Sequence, residues 1–456
     1  MFHKVLIANR GEVAVRVIRA CKELGIRTVA VYSEPDRDSM HARLADEAIC
    51  IGPGPAAQSY LNIPAIMAAA ELADVEAIHP GYGFLAENAD FAEIVIESGY
   101  TWIGPPPEAM RAMGDKVRAK ALMREAGVPL VPGSEGGVAD PEAARAVARK
   151  IGYPVIIKAA AGGGGRGMKV VRSEASLAHL WMMATSEAKA AFGDGTVFIE
   201  KFLETPRHIE VQILADKHGH VLHLFERECS LQRHHQKVIE EAPSPFLDEA
   251  TRAKICEAAV RAARAVGYEG AGTVEFLVTP EKEFYFIEMN TRLQVEHPVT
   301  EEITGIDIVE WQLRVAAGEP FDFTQDDLQI RGHAIECRIN AEDPFTFRPS
   351  PGKVELFHPP GGRSVRVDSH LYSGYQIPPF YDSMVAKIIT HARTREKCIR
   401  RMQRALEELV VMGVQTNVEL HRRLLANPAF QQGAFDIHFL ENWLAQAVGD
   451  AGSRAG

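Results

Sequence analysis

Four consecutive glycines, Gly162 to Gly165, sit between two β-branched apolar runs, and this arrangement narrows the possible folds more than any other stretch of the chain. Residues 154–160 (PVIIKAA) read as a strand with Lys158 near its end, and residues 168–172 (MKVVR) read as the next strand. The glycines between them satisfy G-x-G-x-x-G. A dinucleotide fingerprint, however, runs into a helix, and a P-loop carries lysine directly after its last glycine, where this chain has Met168. Strand, glycine loop, strand is instead the geometry of a lid that closes over a nucleoside triphosphate with backbone N–H groups, Lys158 supplying a point charge to the phosphates. A mobile hairpin tip is the alternative, at a large cost in conformational entropy for four glycines in a row.

The chain before this loop reads as an α/β unit. Strands are expected at residues 3–8, 28–32, 48–51 and 77–79, with a helical pattern over 13–24, and this alternation predicts a parallel sheet covered on both faces. The loop HPGYGFLAEN at 79–88 either closes a turn or brings Tyr82 and Glu87 to the border of a site. TWIGPPP at 101–107 marks a boundary. Asp115 is placed to cap a helix over 116–126, which puts Lys116 in a first turn whose dipole prefers anions; a ligand phosphate resolves that conflict, although exposed lysines also occur there.

After the glycine loop, residues 196–201 read as a strand with Phe202 and Leu203 continuing it, a connector suited to adenine. Strands are expected at 209–214 and 221–225, followed by a polar, cationic loop over 226–237 that contacts an anion or is simply solvated. Its adjacent His234 and His235 are not at metal-ligand spacing. Residues 272–278 and 283–289 form a hairpin. If Val278 pairs with Glu283, Thr273 faces Glu288 and Glu275 becomes its diagonal neighbour. Oxygen ligands from Glu275, Glu288 and Asn290 suit Mg²⁺.

From Glu288 onward every second residue is polar: Glu288, Asn290, Arg292, Gln294, Glu296. If the chain stays extended, these five line one wall, with Arg292 a clamp for a carboxylate, carbonate or phosphate and Glu296 a general base. A solvated strand is the competing reading. Residues 333–340 present Glu336, Arg338 and Asn340 on one face; Arg338 either pairs with Glu336 or Glu342, or holds fixed positive charge toward an oxyanion.

A length of 456 residues predicts two or three domains, and a net charge of −11 argues against a nucleic-acid partner. There is no long apolar run for a bilayer and no signal-peptide pattern at the start, so a cytoplasmic, membrane-free protein is expected. The six scattered cysteines form no C-x-x-C pair and fit reduced, buried thiols.

Taken together, NRGE, HPGYGFLAEN, GDK at 114–116, IIKAAAGGGGRGM, HHQK, GTVEF, FIEMNTRLQVEHPVTE and ECRINAEDP resemble the biotin carboxylase family of ATP-grasp enzymes, in order and over nearly the whole chain. The resemblance implies an α/β and α+β ATP-grasp fold: an N-terminal Rossmann-like pre-ATP-grasp part over 1–113, linker helices over 114–130, a lid over 131–203, a catalytic part over 204–447 and a flexible tail over 448–456. It implies ATP-dependent carboxylation of biotin from bicarbonate through carboxyphosphate, with Mg²⁺ or Mn²⁺.

Carried over by position, Lys116, Lys158, Gly164, Gly165, His208, Gln232 and His235 serve ATP, with Glu200, Lys201, Phe202 and Leu203 around adenine and Glu275, Glu288 and Asn290 on the metals. Lys237, Arg292, Gln294 and the Val295 backbone surround bicarbonate, which Glu296 deprotonates. Tyr82 and Arg338 face biotin, Arg338 stabilising its enolate. Ala161, where relatives often have glycine, and His234, where arginine is usual, depart from the pattern.

No A-M-K-M motif is present, so biotin is expected on a separate carboxyl carrier protein working with carboxyltransferase subunits, as in acetyl-CoA carboxylase. The equivalent subunit of a pyruvate, propionyl-CoA or other carboxylase is the alternative, as are another ATP-grasp ligase and a nucleotide-binding module without turnover. A homodimer is implied, with Arg16, Arg19, Glu23 and Arg366 in the segments that match the family's dimer surface.

Overall fold

The computed structural model describes residues 1–160 and 168–453. The chain begins with a five-stranded parallel sheet of β1 (Lys4–Ile7), β2 (Arg27–Ser33), β3 (Glu47–Gly52), β4 (Ala77–His79) and β5 (Thr101–Trp102), in the order β3-β2-β1-β4-β5. Leu6, Val29, Val31 and Ile78 are buried against the helices Ile63–Leu72 and Ala89–Glu97, and Val5 and Ile7 against Gly11–Glu23 on the other side, as two-sided burial of short apolar strands requires. Strand order reverses beside β1, so the loops leaving β1 and β4 frame the crevice where α/β sheets place their sites. The Asn9 side chain laces those loops together by donating to the carbonyls of Pro80 (2.8 Å) and Tyr82 (2.7 Å). Gly81, at φ +64°, allows this approach, because a Cβ there would lie 2.9 Å from Asn9 Nδ2.

The segment around the glycine loop is a three-stranded antiparallel sheet of β6 (Val155–Ala159), β7 (Lys169–Val171) and β8 (Val197–Lys201), in the order β7-β6-β8. It packs on the helices Pro141–Ile151 and Glu174–Phe192 around a separate small core that includes Val155, Ile157, Leu177 and Ile199. Strand β8 stops at Lys201, so Phe202 and Leu203 do not continue it as expected; Phe202 N donates to Pro154 O instead (3.1 Å). Gly164 and Gly165, like Ala161, fall outside the described residues.

The remainder is built on an eight-stranded antiparallel sheet. Its first strands are β9 (Arg207–Ala215), β10 (Val221–Arg233), β11 (Gln236–Ala242), β12 (Gly270–Val278), β13 (Phe284–Asn290) and β14 (His333–Asn340). Strands β17 (Val365–Ser369) and β19 (Met384–Ala392) complete it, while β15 (Gly352–Lys353) pairs with β18 (Gln376–Ile377) and β16 (Leu356–His358) with β20 (Val410–Met412) in two small separate sheets. The sheet order is β13-β12-β9-β10-β11-β14-β19-β17. Helices Glu249–Ala265 and Arg395–Glu408 cover the face opposite the site. Helix Phe439–Ser453 carries regular structure into the stretch where a flexible tail was expected. Among the described residues, no helix is long and apolar enough to cross a membrane.

Three expectations are corrected here. The polar run at 226–237 is not a loop: β10 continues through Arg233, turns at His234 and His235 (φ +48° and +64°), and returns as β11. Its charges are tolerated in a sheet because they neutralise one another across strands.

The hairpin register also differs. Val278 pairs with Phe284, and a bulge after Glu275 sets Glu275 directly opposite Glu288 and Thr273 opposite Asn290. Finally, extended structure ends at Asn290. Residues 291–296 form a loop whose last residue, Glu296, starts helix His297–Thr304 with Pro298 in its first turn.

One structural ion network allows a pH prediction. Glu241 on β11 is buried between His333 Nε2 (2.6 Å) and Arg395 Nε (2.7 Å). Burial alone would raise its carboxyl, but those partners hold it at about 2. A depressed folded pKa contributes stability that is full above the ordinary carboxylate range and is lost as pH falls toward about 2. The Glu241→Gln variant is therefore expected to lose roughly 3 kcal/mol at neutral pH and to show a shallower acid limb in urea unfolding. An acid limb identical to wild type would contradict this.

Candidate active site

Side chains from five segments meet on one face of the large sheet. Lys237 of β11 places Nζ 2.5 Å from Glu210 of β9, 2.9 Å from Glu275 of β12 and 2.5 Å from Glu296 in the loop after β13. The sheet order makes this possible: β9, β10, β11 and β12 are near neighbours although Lys237 and Glu296 are 59 residues apart. Burial works against the charge on Lys237, yet three carboxylates raise its pKa well above the ordinary value. Burial would likewise neutralise Glu275 and Glu296. Lys237 with His208 for Glu275, and Lys237 with Arg338 for Glu296, hold both well below the usual carboxylate range. Both are anionic at neutral pH.

Beneath this cluster lies Arg227, fully buried on β10. All five of its N–H donors are used. Nε donates to Glu210 (2.6 Å), Nη1 to Gln212 (2.6 Å) and Thr300 (3.1 Å), and Nη2 to Thr273 (3.1 Å) and Gln294 (2.9 Å). One planar fork thus ties β9, β12, the 291–296 loop and the helix after it to β10. Neither Arg227 nor Glu210 stands out in the sequence as a site residue. The available signal was alternation: His208, Glu210 and Gln212 interrupt an otherwise apolar strand at every second position.

The polar wall expected over 288–296 becomes a loop with divided attachments. Asn290 Nδ2 and Gln294 Nε2 each donate to Glu275 Oε1 at 2.9 Å, and His208 Nε2 lies 3.1 Å from Glu275 Oε2. Arg292 does not share one face with Glu296. Its Nε donates to Glu87 Oε2 (3.0 Å) and its Nη2 to Asn290 Oδ1 (3.2 Å), so the glycine-rich loop of the first sheet does border the site. Val295 is held by its carbonyl, which accepts from Lys387 Nζ (2.8 Å). Arg338 pairs with neither Glu336 nor Glu342. Its Nε donates to Glu240 Oε1 (2.5 Å) and its Nη2 to Glu296 Oε2 (2.9 Å), so Glu296 lies between two cations. Tyr82 presents a buried hydroxyl without a partner among the described residues.

A second cluster lies toward the small sheet. Glu200 on β8 is buried and takes both Lys158 Nζ (2.7 Å) and Lys120 Nζ, which keep its carboxylate below the usual range against burial. Lys120, missed from the sequence, lies one helical turn beyond Lys116 and with it lines a recess of about 60 Å³ alongside Ser134 and Phe198. Asp115 caps that helix as expected, accepting from Val117 N and Arg118 N. Lys201 turns away to the carbonyls of Gly152 and Tyr153, and Gln232 to that of Cys229; His235 is exposed in its turn. Among the expected dimer residues, Arg19 and Glu23 are exposed. Arg16 is buried against Glu301 (2.9 Å) and Asp307 (2.7 Å), and Arg366 reaches the same Glu301 (2.7 Å). Cys50 is exposed, unlike the other five cysteines.

The donor set fits a hard divalent cation. Glu275 and Glu288 are directly opposite across a strand pair, where like charges repel unless a cation lies between them. Glu288 makes no ion pair among the described residues, and the loss of surrounding water together with the neighbouring Glu275 raises its carboxyl. Glu275 and Glu288 would hold the ion, with Asn290 adding its amide oxygen.

A paired-carboxylate sheet beside a small glycine-loop sheet is the ATP-grasp architecture, and residues 115–324 match the model for the carbamoyl-phosphate synthase L chain ATP binding domain. Residues 1–110 match the biotin carboxylase N-terminal domain and 336–442 the biotin carboxylase C-terminal domain. The chain belongs to the biotin carboxylase family. It is 60% identical over 445 residues to the biotin carboxylase of Pseudomonas aeruginosa, covering 97% of this chain and 99% of that one. The biotin carboxylase–β,γ-ATP complex of Campylobacter jejuni superposes with a TM-score of 0.92 at 52% identity, over 97% of this chain and 99% of the other. The biotin carboxylase domain dimer of 2-oxoglutarate carboxylase from Hydrogenobacter thermophilus, solved with MgADP, ADP and bicarbonate, superposes with a TM-score of 0.90 at 50% identity, over 97% and 98%.

Proposed function

We propose that this protein carboxylates biotin with bicarbonate at the expense of ATP, and that it is the biotin carboxylase component of an acetyl-CoA carboxylase, receiving biotin on a carrier protein and passing it to carboxyltransferase subunits in the cytoplasm. The observation that carries this reading is Glu296, an anionic carboxylate bridging Lys237 and Arg338 in a buried site. Such a group is a base held ready for a proton beside two cations that stabilise anions.

The residues divide the work. Lys116, Lys158, Gly164, Gly165, His208, Gln232 and His235 belong to ATP, with 200–203 along adenine and the small sheet as its lid. Magnesium or manganese, held by Glu275, Glu288 and Asn290, would neutralise phosphate charge. Lys237, Arg292, Gln294 and Val295 hold bicarbonate, and Glu296 takes its proton. When Lys237 and Arg338 turn toward the substrate anion, Glu296 loses the partners that keep its basicity low, so proton acceptance and anion binding favour each other. Phosphate released as carboxyphosphate gives up carbon dioxide takes the N1′ proton of biotin, and Arg338 then faces the oxygen of the resulting enolate, with Tyr82 beside it. The working unit is a homodimer.

The test is ADP release with ATP, Mg²⁺ and bicarbonate, with and without free biotin. Stimulation by biotin is expected, and its absence overturns the reading. The likeness to a 2-oxoglutarate carboxylase domain supports a second assignment, the equivalent subunit of a pyruvate, propionyl-CoA or other carboxylase. The acceptor used by the biotinylated protein that co-purifies with this chain decides between the two.

A further inference from the structure

Lys387 is a fully buried lysine at the centre of β19 that none of the roles above uses. Its strand neighbours are Arg338 on one side and Asp368 on the other, so the three form one row across the sheet. Its Nζ donates to Val295 O (2.8 Å) and lies 3.3 Å from Glu12 Oε2, with the Tyr82 ring 6.0 Å away. Asp368 is occupied by Arg366 (2.8 Å), and Glu336, buried with both oxygens unbonded, faces the same row. Burying an ammonium costs several kcal/mol unless it is paired and hydrogen-bonded, roughly the scale of a domain's whole net stability. Lys387 spends its hydrogen bond on a single loop carbonyl.

That carbonyl belongs to the turn between Gln294 and Glu296. Arg227 fixes Gln294 on one side of the turn. A trans peptide is planar, so anchoring Val295 O also sets the direction of the Glu296 N–H and the path of the chain into the Glu296 side chain. Neither the Val295 N–H nor the Glu296 N–H donates to another group among the described residues, which leaves both available to an anion. We propose that Lys387 is a positioning residue that holds the Val295–Glu296 peptide so that its N–H and the Glu296 carboxylate converge on bicarbonate. This rests on the bicarbonate site proposed above.

The experiment measures bicarbonate-dependent ADP release in Lys387→Met, which keeps the stem and removes the donor. KM for bicarbonate is expected to rise at least 10-fold while KM for ATP changes less than 2-fold, and Lys387→Arg, which restores a cationic donor, is expected to recover part of the loss. If Lys387→Met does not fold, Lys387→Met combined with Glu12→Gln removes both charges of the pair, still leaves no donor for Val295 O, and carries the same expectation. A folded variant with wild-type KM for bicarbonate, or an equal rise in both KM values, overturns the proposal. Wild type without bicarbonate-dependent, biotin-stimulated turnover would instead refute the function it rests on.

Discussion

Arg338→Ala is expected to slow biotin carboxylation by about 10²- to 10³-fold, the effect of removing one fixed donor from a developing oxyanion. Bicarbonate-dependent ATP cleavage without biotin is expected to fall by only about 10-fold on the same argument, because Glu296 keeps Lys237 as its partner. The two rates separate because Arg338 has two attachments: Glu240 orients its guanidinium, and Glu296 links it to the base. Truncation leaves Glu240 buried without its cation. Burial and Glu296 already lift that carboxyl to about 7, so it can take up a proton and remain neutral, and the variant is expected to fold. Both rates, measured on one preparation, check this. Equal losses would remove Arg338 from the biotin half of the reaction.

Arg227→Met is expected to destabilise the protein by about 3–5 kcal/mol, the cost of breaking a buried ion pair from one side. Glu210 would lose one of its two cations and keep only Lys237, and the acceptors on Gln212, Thr273, Gln294 and Thr300 would lose their buried donor. Arg227→Lys would not restore them, since one ammonium offers three donors from a point and cannot span five acceptors around a planar fork. Urea unfolding of the full chain provides the measurement, and a loss below about 1 kcal/mol, the size of an exposed pair, would show that the network is not cooperative.

These two arginines mark how much could be read in advance. Arg338 was legible because its strand alternates polar and apolar residues and Glu336, Arg338 and Asn340 stand out on one face. Its partners were not: Glu240 and Glu296 lie 98 and 42 residues away, and strand pairing alone brings them together. Arg227 reads as part of a solvated or anion-binding loop, because a dense run of charges looks unfit for a sheet interior. The interior accepts it because β9 and β12 supply matching acceptors. The parallel first sheet, the two strands that flank the glycines and the capped helix at Asp115 depend on local pattern, and they appear where pattern places them.

The division is sharpest along residues 284–300. Sequence by itself determined the chemistry available there: two carboxylates, two carboxamides and a guanidinium after an apolar strand, matched by Glu275 one hairpin away. Tertiary structure decided how that chemistry is shared. A bulge set Glu275 opposite Glu288, the strand ended at Asn290, and Arg292 went to Glu87 of the first sheet while Glu296 went to Lys237 and Arg338. The physical reason is that side-chain type and alternation are local properties. Register, bulges and the pairing of buried charges are fixed by which other strands lie within a few ångströms, and only the assembled sheet specifies that.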